Sequence, residues 1–220
     1  MKIFLFIAFL NFLISCSGNS SKNGNLPRFN NLAFNEIDST NLTVTESAIL
    51  GSGSIGLEQP LGETSSETKI VTSFYLEDEG SITFHTYADK KLENGLDIVF
   101  TREGSALETK FVLAGVEKVF AFEHDEEGDI YAGESIDLKF DVHNSESPAH
   151  VVFWQATADE DVSTDNLIFN SEDTEEGDNQ APGSGAGTYL GITFDQASMS
   201  NLAIAAATEE NEIGEAHEHE

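Results

Sequence analysis

The chain has 220 residues, with 40 acidic residues against 10 basic ones and a formal charge of −30 at neutral pH. A field of that sign repels nucleic-acid phosphates and anionic headgroups, so nucleic acid is excluded as a partner. Charge of this size favours disorder, but 39% of the residues are hydrophobic and 16 are Phe, which is apolar material enough for one core.

The chain opens on Met1 and Lys2, followed by the apolar run from Ile3 to Leu10 and then Phe12, Leu13 and Ile14. One positive charge before an apolar stretch shorter than the ~20 residues of a spanning helix reads as a secretory signal. The stretch ends in Leu13, Ile14, Ser15 and Cys16. These residues resemble the lipobox of bacterial lipoproteins. The resemblance implies a signal peptide over residues 1–15, cleavage before Cys16, and acylation (palmitate) of that cysteine. The partner of Cys16 is then a lipid bilayer. Ser17 follows the cysteine, and by the same resemblance this favours the outer membrane, on its periplasmic or its surface face. Cys16 is the single cysteine of the chain, so no internal disulfide can form.

Residues 16–28 are the lipidated cysteine and a Ser-, Asn- and Gly-rich flexible linker. A folded domain is expected over 29–208 and an acidic disordered tail over 209–220. From Lys69 onward apolar residues recur with period two, as in half-buried strands. Ile70, Phe74 and Leu76 lead to a turn at Asp78, Glu79 and Gly80. Ile82 and Phe84 follow, then Leu96, Ile98 and Phe100, then Phe111 and Leu113, then residues 116–122. Beyond the acidic loop 124–129 come Ile136, Leu138, Phe140 and Val142, and then the compact run from His150 to Gln155. Short strands at 167–169, 189–194 and 202–206 complete the pattern. About ten strands with turn chemistry between them indicate an all-β, antiparallel two-sheet sandwich or barrel.

The succession from Ser81 to Trp154, closed by Gly187 to Phe194 and by Met199 to Ile204, resembles the concanavalin A-like (laminin G-like) jelly roll. The resemblance spans about 140 residues by comparison of strand succession. It implies two curved sheets with ligands on a concave face or at the loop rim.

Several motifs carry candidate chemistry. The hydrolase branch of that superfamily uses Glu-x-Asp-x-x-Glu on one strand. Glu36 and Asp38 begin this pattern, but Asn41 stands where the last carboxylate is required. Gly51, Gly53 and Gly56 spell a dinucleotide-binding fingerprint, yet no helical pattern follows, and the segment is expected to be a loop. Asp125, Glu127 and Asp129 space carboxylates by two and offer oxygens to Ca²⁺, although the positions of the calcium-binding helix–loop–helix pattern are not met. His143 and His150 flank a six-residue loop, and in a hairpin they fall opposite each other on the face of Asp141, Val152 and Trp154. They suit a metal or sugar site with Trp154 as a stacking platform, or a plain polar cross-strand pair. His217 and His219 in the tail form a weak chelating pair.

The expected function is a membrane-anchored, non-catalytic recognition domain for a glycan or an envelope or extracellular protein. His85, Tyr87, His143, His150 and Trp154 are the expected binding residues, with aromatic faces for sugar rings and imidazoles for hydroxyls. Two alternatives stay open: a secreted carbohydrate-active hydrolase with an unrecognised carboxylate pair, and a Ca²⁺-binding envelope protein.

Overall fold

The structure, a computed structural model, describes residues 34–45, 47–58, 67–120, 133–145, 148–172 and 180–206. The expected signal peptide, Cys16, the expected linker, the acidic segment with His217 and His219, and the run Asp125, Glu127 and Asp129 lie outside the described residues.

Ten strands account for nearly all regular structure among the described residues: β1 (Phe34–Val44), β2 (Ile49–Leu57), β3 (Glu67–Ala88), β4 (Leu96–Glu103), β5 (Ala106–Leu113), β6 (Val116–Phe120), β7 (Ile136–His143), β8 (His150–Gln155), β9 (Leu167–Asn170) and β10 (Tyr189–Ala206). All pairings are antiparallel. The hydrogen-bonded order is β1-β2-β10-β3-β4-β5-β6, with β7 joined to β3, β8 to β7 and β9 to β8.

This single sheet folds over on itself, because its longest strand, β3, changes partners midway. The first half of β3 pairs with β7, from Glu67 to Phe74, and the second half pairs with β4, from Ser81 to Thr86. β10 follows β3 along both halves, with a register shift between Asp195 and Ala197. Two layers result: the first half of β3 with β7, β8 and β9, and its second half with β4, β5 and β6. Aromatic rings fill the space between them. Phe84 meets Phe140 at 5.1 Å, Phe100 meets Phe153 at 5.9 Å and Phe120 meets Phe169 at 4.6 Å between ring centroids. Edge-on and offset arrangements at these separations add to the area each ring buries. The all-β, two-layer antiparallel sandwich is therefore the architecture of the domain.

The corner between layers explains three departures from the sequence reading. Asp78, Glu79 and Gly80 are not a turn between two strands but part of the bend inside β3, where the buried–exposed alternation lapses into exposed Glu77, Asp78 and Glu79 before the buried Gly80. Glu79 and Gln196 both take left-handed backbone there, at φ 62° and 50°. The final two strands of the sequence reading are likewise one bent strand, β10. The Gly51–Gly56 segment, expected as a loop, lies in β2 and carries the corner outward. Gly51 has φ 115° and Gly53 φ 154°, and a Cβ at either would collide with a carbonyl of β1, that of Asn41 or Asp38. Only glycine supplies that backbone and that closeness together. The repeated glycines of the fingerprint thus serve sheet curvature rather than phosphate.

Candidate functional site

The sandwich has two outward faces, and the expected binding residues do not share one. β3 sends Ile82 and Phe84 into the core, so His85 faces outward on the β4 side of the molecule. His143, His150 and Trp154 belong to the outward face of β7 and β8 in the other layer. Tyr87 has left-handed backbone at φ 51°, is 3% exposed, and turns its phenol into the core. Its hydroxyl accepts from Thr68 at 2.8 Å and donates to the Val142 carbonyl at 3.3 Å. Burial pushes this phenol up to about 12. The single five-residue site expected from the sequence is therefore corrected: Tyr87 is a core residue, and the other four divide between opposite faces.

On the His85 face a line of hydrogen bonds crosses four strands. Asp97 Oδ1 lies 2.7 Å from His85 Nδ1, His85 Nε2 lies 2.8 Å from Thr193 Oγ1, and Thr193 Oγ1 lies 2.8 Å from Ser54 Oγ. An ionised carboxylate only accepts, so Nδ1 donates to Asp97, and in the neutral imidazole Nε2 is then the acceptor. In that tautomer Thr193 donates to His85, and Ser54 donates to Thr193. The donors run one way, and the lone pairs of Ser54 and the second oxygen of Asp97 are left to accept from a ligand. All four residues are partly exposed, and none is needed by the core. Farther along β2 and β10, Ser52 donates to Asp195 at 3.1 Å and accepts from the Gln196 amide at 3.1 Å. Of this row only His85 was singled out in the sequence. Thr193, Asp97 and Ser54 become legible once strand register is known.

At the end of the same strands an open cleft of about 520 Å³ is lined by Asp89, Lys90, Glu93, Gly187, Thr188 and Tyr189, among others. Lys90 Nζ stands 5.3 Å from the Tyr189 ring centroid, within cation–π range. Amide donors from Glu93 and Lys91 hold the Asp89 carboxyl below the usual carboxylate range. It is therefore ionised at neutral pH.

The face of β7 and β8 is different in kind. His143 pairs with His150 in the β7–β8 register, with ring centroids 5.0 Å apart, in the opposition that a hairpin requires. Around them stand Glu67, Lys69 and Asp141. Lys69 Nζ lies 3.5 Å from Glu67 Oε1 and 3.5 Å from Asp141 Oδ2. His143 Nε2 lies 3.6 Å from Glu67 Oε1. His150 Nε2 donates to Asn170 Oδ1 at 2.8 Å, and its Nδ1 lies 3.8 Å from Glu172 Oε1. Desolvation pushes Asp141 up to about 6, against the pull of Lys69. Trp154 is 2% exposed and packs with Val152, Val162 and Leu167. The segment 156–166 covers this end of the face, and Lys139 reaches it through the Glu160 carbonyl. Trp154 is thus corrected from a stacking platform to a buried anchor, since a covered ring presents no face to a sugar.

No family model and no curated protein matches the sequence. Solved structures with a related fold include a carbohydrate-binding module from Bacillus subtilis, at 11% identity and TM-score 0.49, covering 80% of this chain and 97% of that one. A legume lectin-like domain from Entamoeba histolytica is similar at 11% identity and TM-score 0.45, covering 80% of this chain and 90% of that one. A xylan β-1,4-xylosidase from Bacillus halodurans is similar at 12% identity and TM-score 0.41, covering 86% of this chain but only 41% of that one.

Proposed function

We propose that this chain is a lipoprotein anchored through Cys16 to the bacterial outer membrane, and that its sandwich domain binds a glycan without cleaving it. The observation that carries the glycan reading is the row Ser54, Thr193, His85 and Asp97. Sugars are recognised by fixed donors and acceptors matched to their hydroxyls, and this row offers oriented acceptors on a partly exposed sheet face. The half-buried ring of Tyr189, at the cleft beyond the end of the row, supplies an apolar surface. The anchor reading rests on the apolar run and Leu13, Ile14, Ser15 and Cys16.

The same row invites a hydrolytic reading, because carboxylate, imidazole and hydroxyl stand in the order of a nucleophilic triad. Two observations favour binding. β10 is paired on one side with β2 and on the other with β3 around Thr193, so the backbone there is committed to the sheet ladders rather than to an oxyanion hole. A glycosidic acid needs a raised pKa, whereas Asp89 in the cleft is lowered, and the raised carboxyl, Asp141, lies on the opposite face.

The test uses the full chain, purified from membranes in detergent, in thermal melts against a panel of glycans. A saturable rise in melting temperature with one glycan class, abolished in Ser54→Ala/Thr193→Val, is the expected result. A panel that leaves the melt unmoved would count against glycan recognition. Release of reducing ends from a bound glycan would overturn the non-catalytic reading. The anchor is tested by labelled palmitate, which should enter the wild-type chain and not Cys16→Ala.

A further inference from the structure

We propose that Glu67, Asp141 and His143 form a binding site for a divalent transition-metal ion of the Zn²⁺ class, on the face opposite the hydroxyl row. One donor atom from each of the three lies within 4.8 Å of the others. Two carboxylate oxygens and one imidazole nitrogen are a donor set that suits Zn²⁺ and its neighbours, while Ca²⁺ takes oxygen ligands. The topology fixes the trio: Glu67 pairs with His143 across β3 and β7, and Asp141 lies two residues earlier on the same side of β7.

Proximity of acidic groups is common on surfaces, and a second observation separates this cluster from such cases. The Asp141 side chain is only 5% exposed, and its Oδ1 has no hydrogen-bond partner. A buried carboxylate oxygen without a partner carries a desolvation cost that the Lys69 contact at Oδ2 offsets only in part. Buried polar atoms in folded proteins are nearly always paired, and a bound ion is one partner that would satisfy this one. The cation now nearest is Lys69, and its fit is loose. Its 3.5 Å separations from Glu67 and Asp141 exceed the ~2.8 Å of a strong charge-assisted bond. One ammonium also faces two carboxylates here, with Glu172 a third beside His150. A divalent ion would balance that charge and engage the Asp141 carboxylate. Lys69 would give up its place, as its flexible stem allows.

His150 is the supporting residue. Its ring lies beside that of His143 and is held by Asn170, which steadies the imidazole pair.

The experiment is calorimetric titration of the full chain with Zn²⁺ and, separately, Ca²⁺, in a His217→Ala/His219→Ala background that removes the tail imidazoles. The expected result is one saturable Zn²⁺ site per chain, with Ca²⁺ at least tenfold weaker. His143→Ala should weaken Zn²⁺ at least tenfold, and Asp141→Asn likewise. Lys69→Met should tighten it, because the competing ammonium is gone. Co²⁺ gives an independent readout: its visible absorption should develop in Lys69→Met and fade in His143→Ala. Melts in chelator identify any variant that fails to fold, and Lys69→Met then carries the test. Absence of a saturable site, Zn²⁺ affinity unchanged in His143→Ala, or equal affinity for Ca²⁺ would each overturn the proposal.

Discussion

The two outward faces of this sandwich share the long strand β3 and treat polar atoms in opposite ways. On the face of β4 and the second half of β3, the hydroxyls, imidazole and carboxylate are partly exposed and satisfy one another within 2.8 Å. On the face of β7 and β8, Lys69 and Asp141 are buried, the ion pairs are long, and Asp141 keeps an oxygen without a partner. A satisfied, half-wet row costs little to maintain and can exchange its contacts with water for those of a sugar. A buried and under-satisfied carboxylate costs stability, and a bound ion would relieve it. Polarity alone therefore does not define a site; the two proposed sites differ in the state of their hydrogen bonds.

The comparison can be broken first at the layer that separates the faces. Phe153 packs against Phe100, Phe120, Phe140 and Phe169. Phe153→Ala should cost about 3–5 kcal/mol and abolish both sites, as chemical denaturation would measure. Next comes the corner. Gly51→Val places a branched side chain against the Asn41 carbonyl at φ 115°, so a loss of about 2 kcal/mol or more is expected in the same assay. Tyr87 sharpens the comparison, because it sits between the faces and serves neither. Tyr87→Phe should cost about 1 kcal/mol and leave glycan binding intact. Its folded pKa, about 12, exceeds the ordinary 10.0, so the folded chain holds that proton more tightly. The stability this confers is complete below pH 10 and is lost as pH rises towards 12. The gap between wild type and Tyr87→Phe, followed by melts, should narrow across that window. The smallest stability effect is expected for His85→Ala, within about 1 kcal/mol for a partly exposed network, while glycan affinity falls at least tenfold.

The sequence made the layers legible wherever one face of a strand is buried. Ile82 and Phe84, or Leu138 and Phe140, alternate with polar residues and mark their strands at once. It hid β1 and β2, because the glycines of β2 look like loop chemistry. It also divided β3 and β10 at their bends, since a short polar run reads the same within a bent strand as between two strands. The opposition of His143 and His150 was legible from the loop length between them. The surroundings of that pair were not: Glu67 lies 76 positions before His143 and reaches it only through the β3–β7 register. Trp154 misled for a related reason. A Trp on the outward face of a strand looks exposed until the segment 156–166, which has no periodicity of its own, is seen to cover it.

The most direct test of the central claim is a titration of one glycan hit from the panel against wild type, His85→Ala/Thr193→Val and His143→Ala. If the hydroxyl row is the sugar site, the double variant binds at least tenfold more weakly, and His143→Ala matches wild type. Equal affinity for all three chains would contradict the assignment, and a loss confined to His143→Ala would move the sugar to the other face.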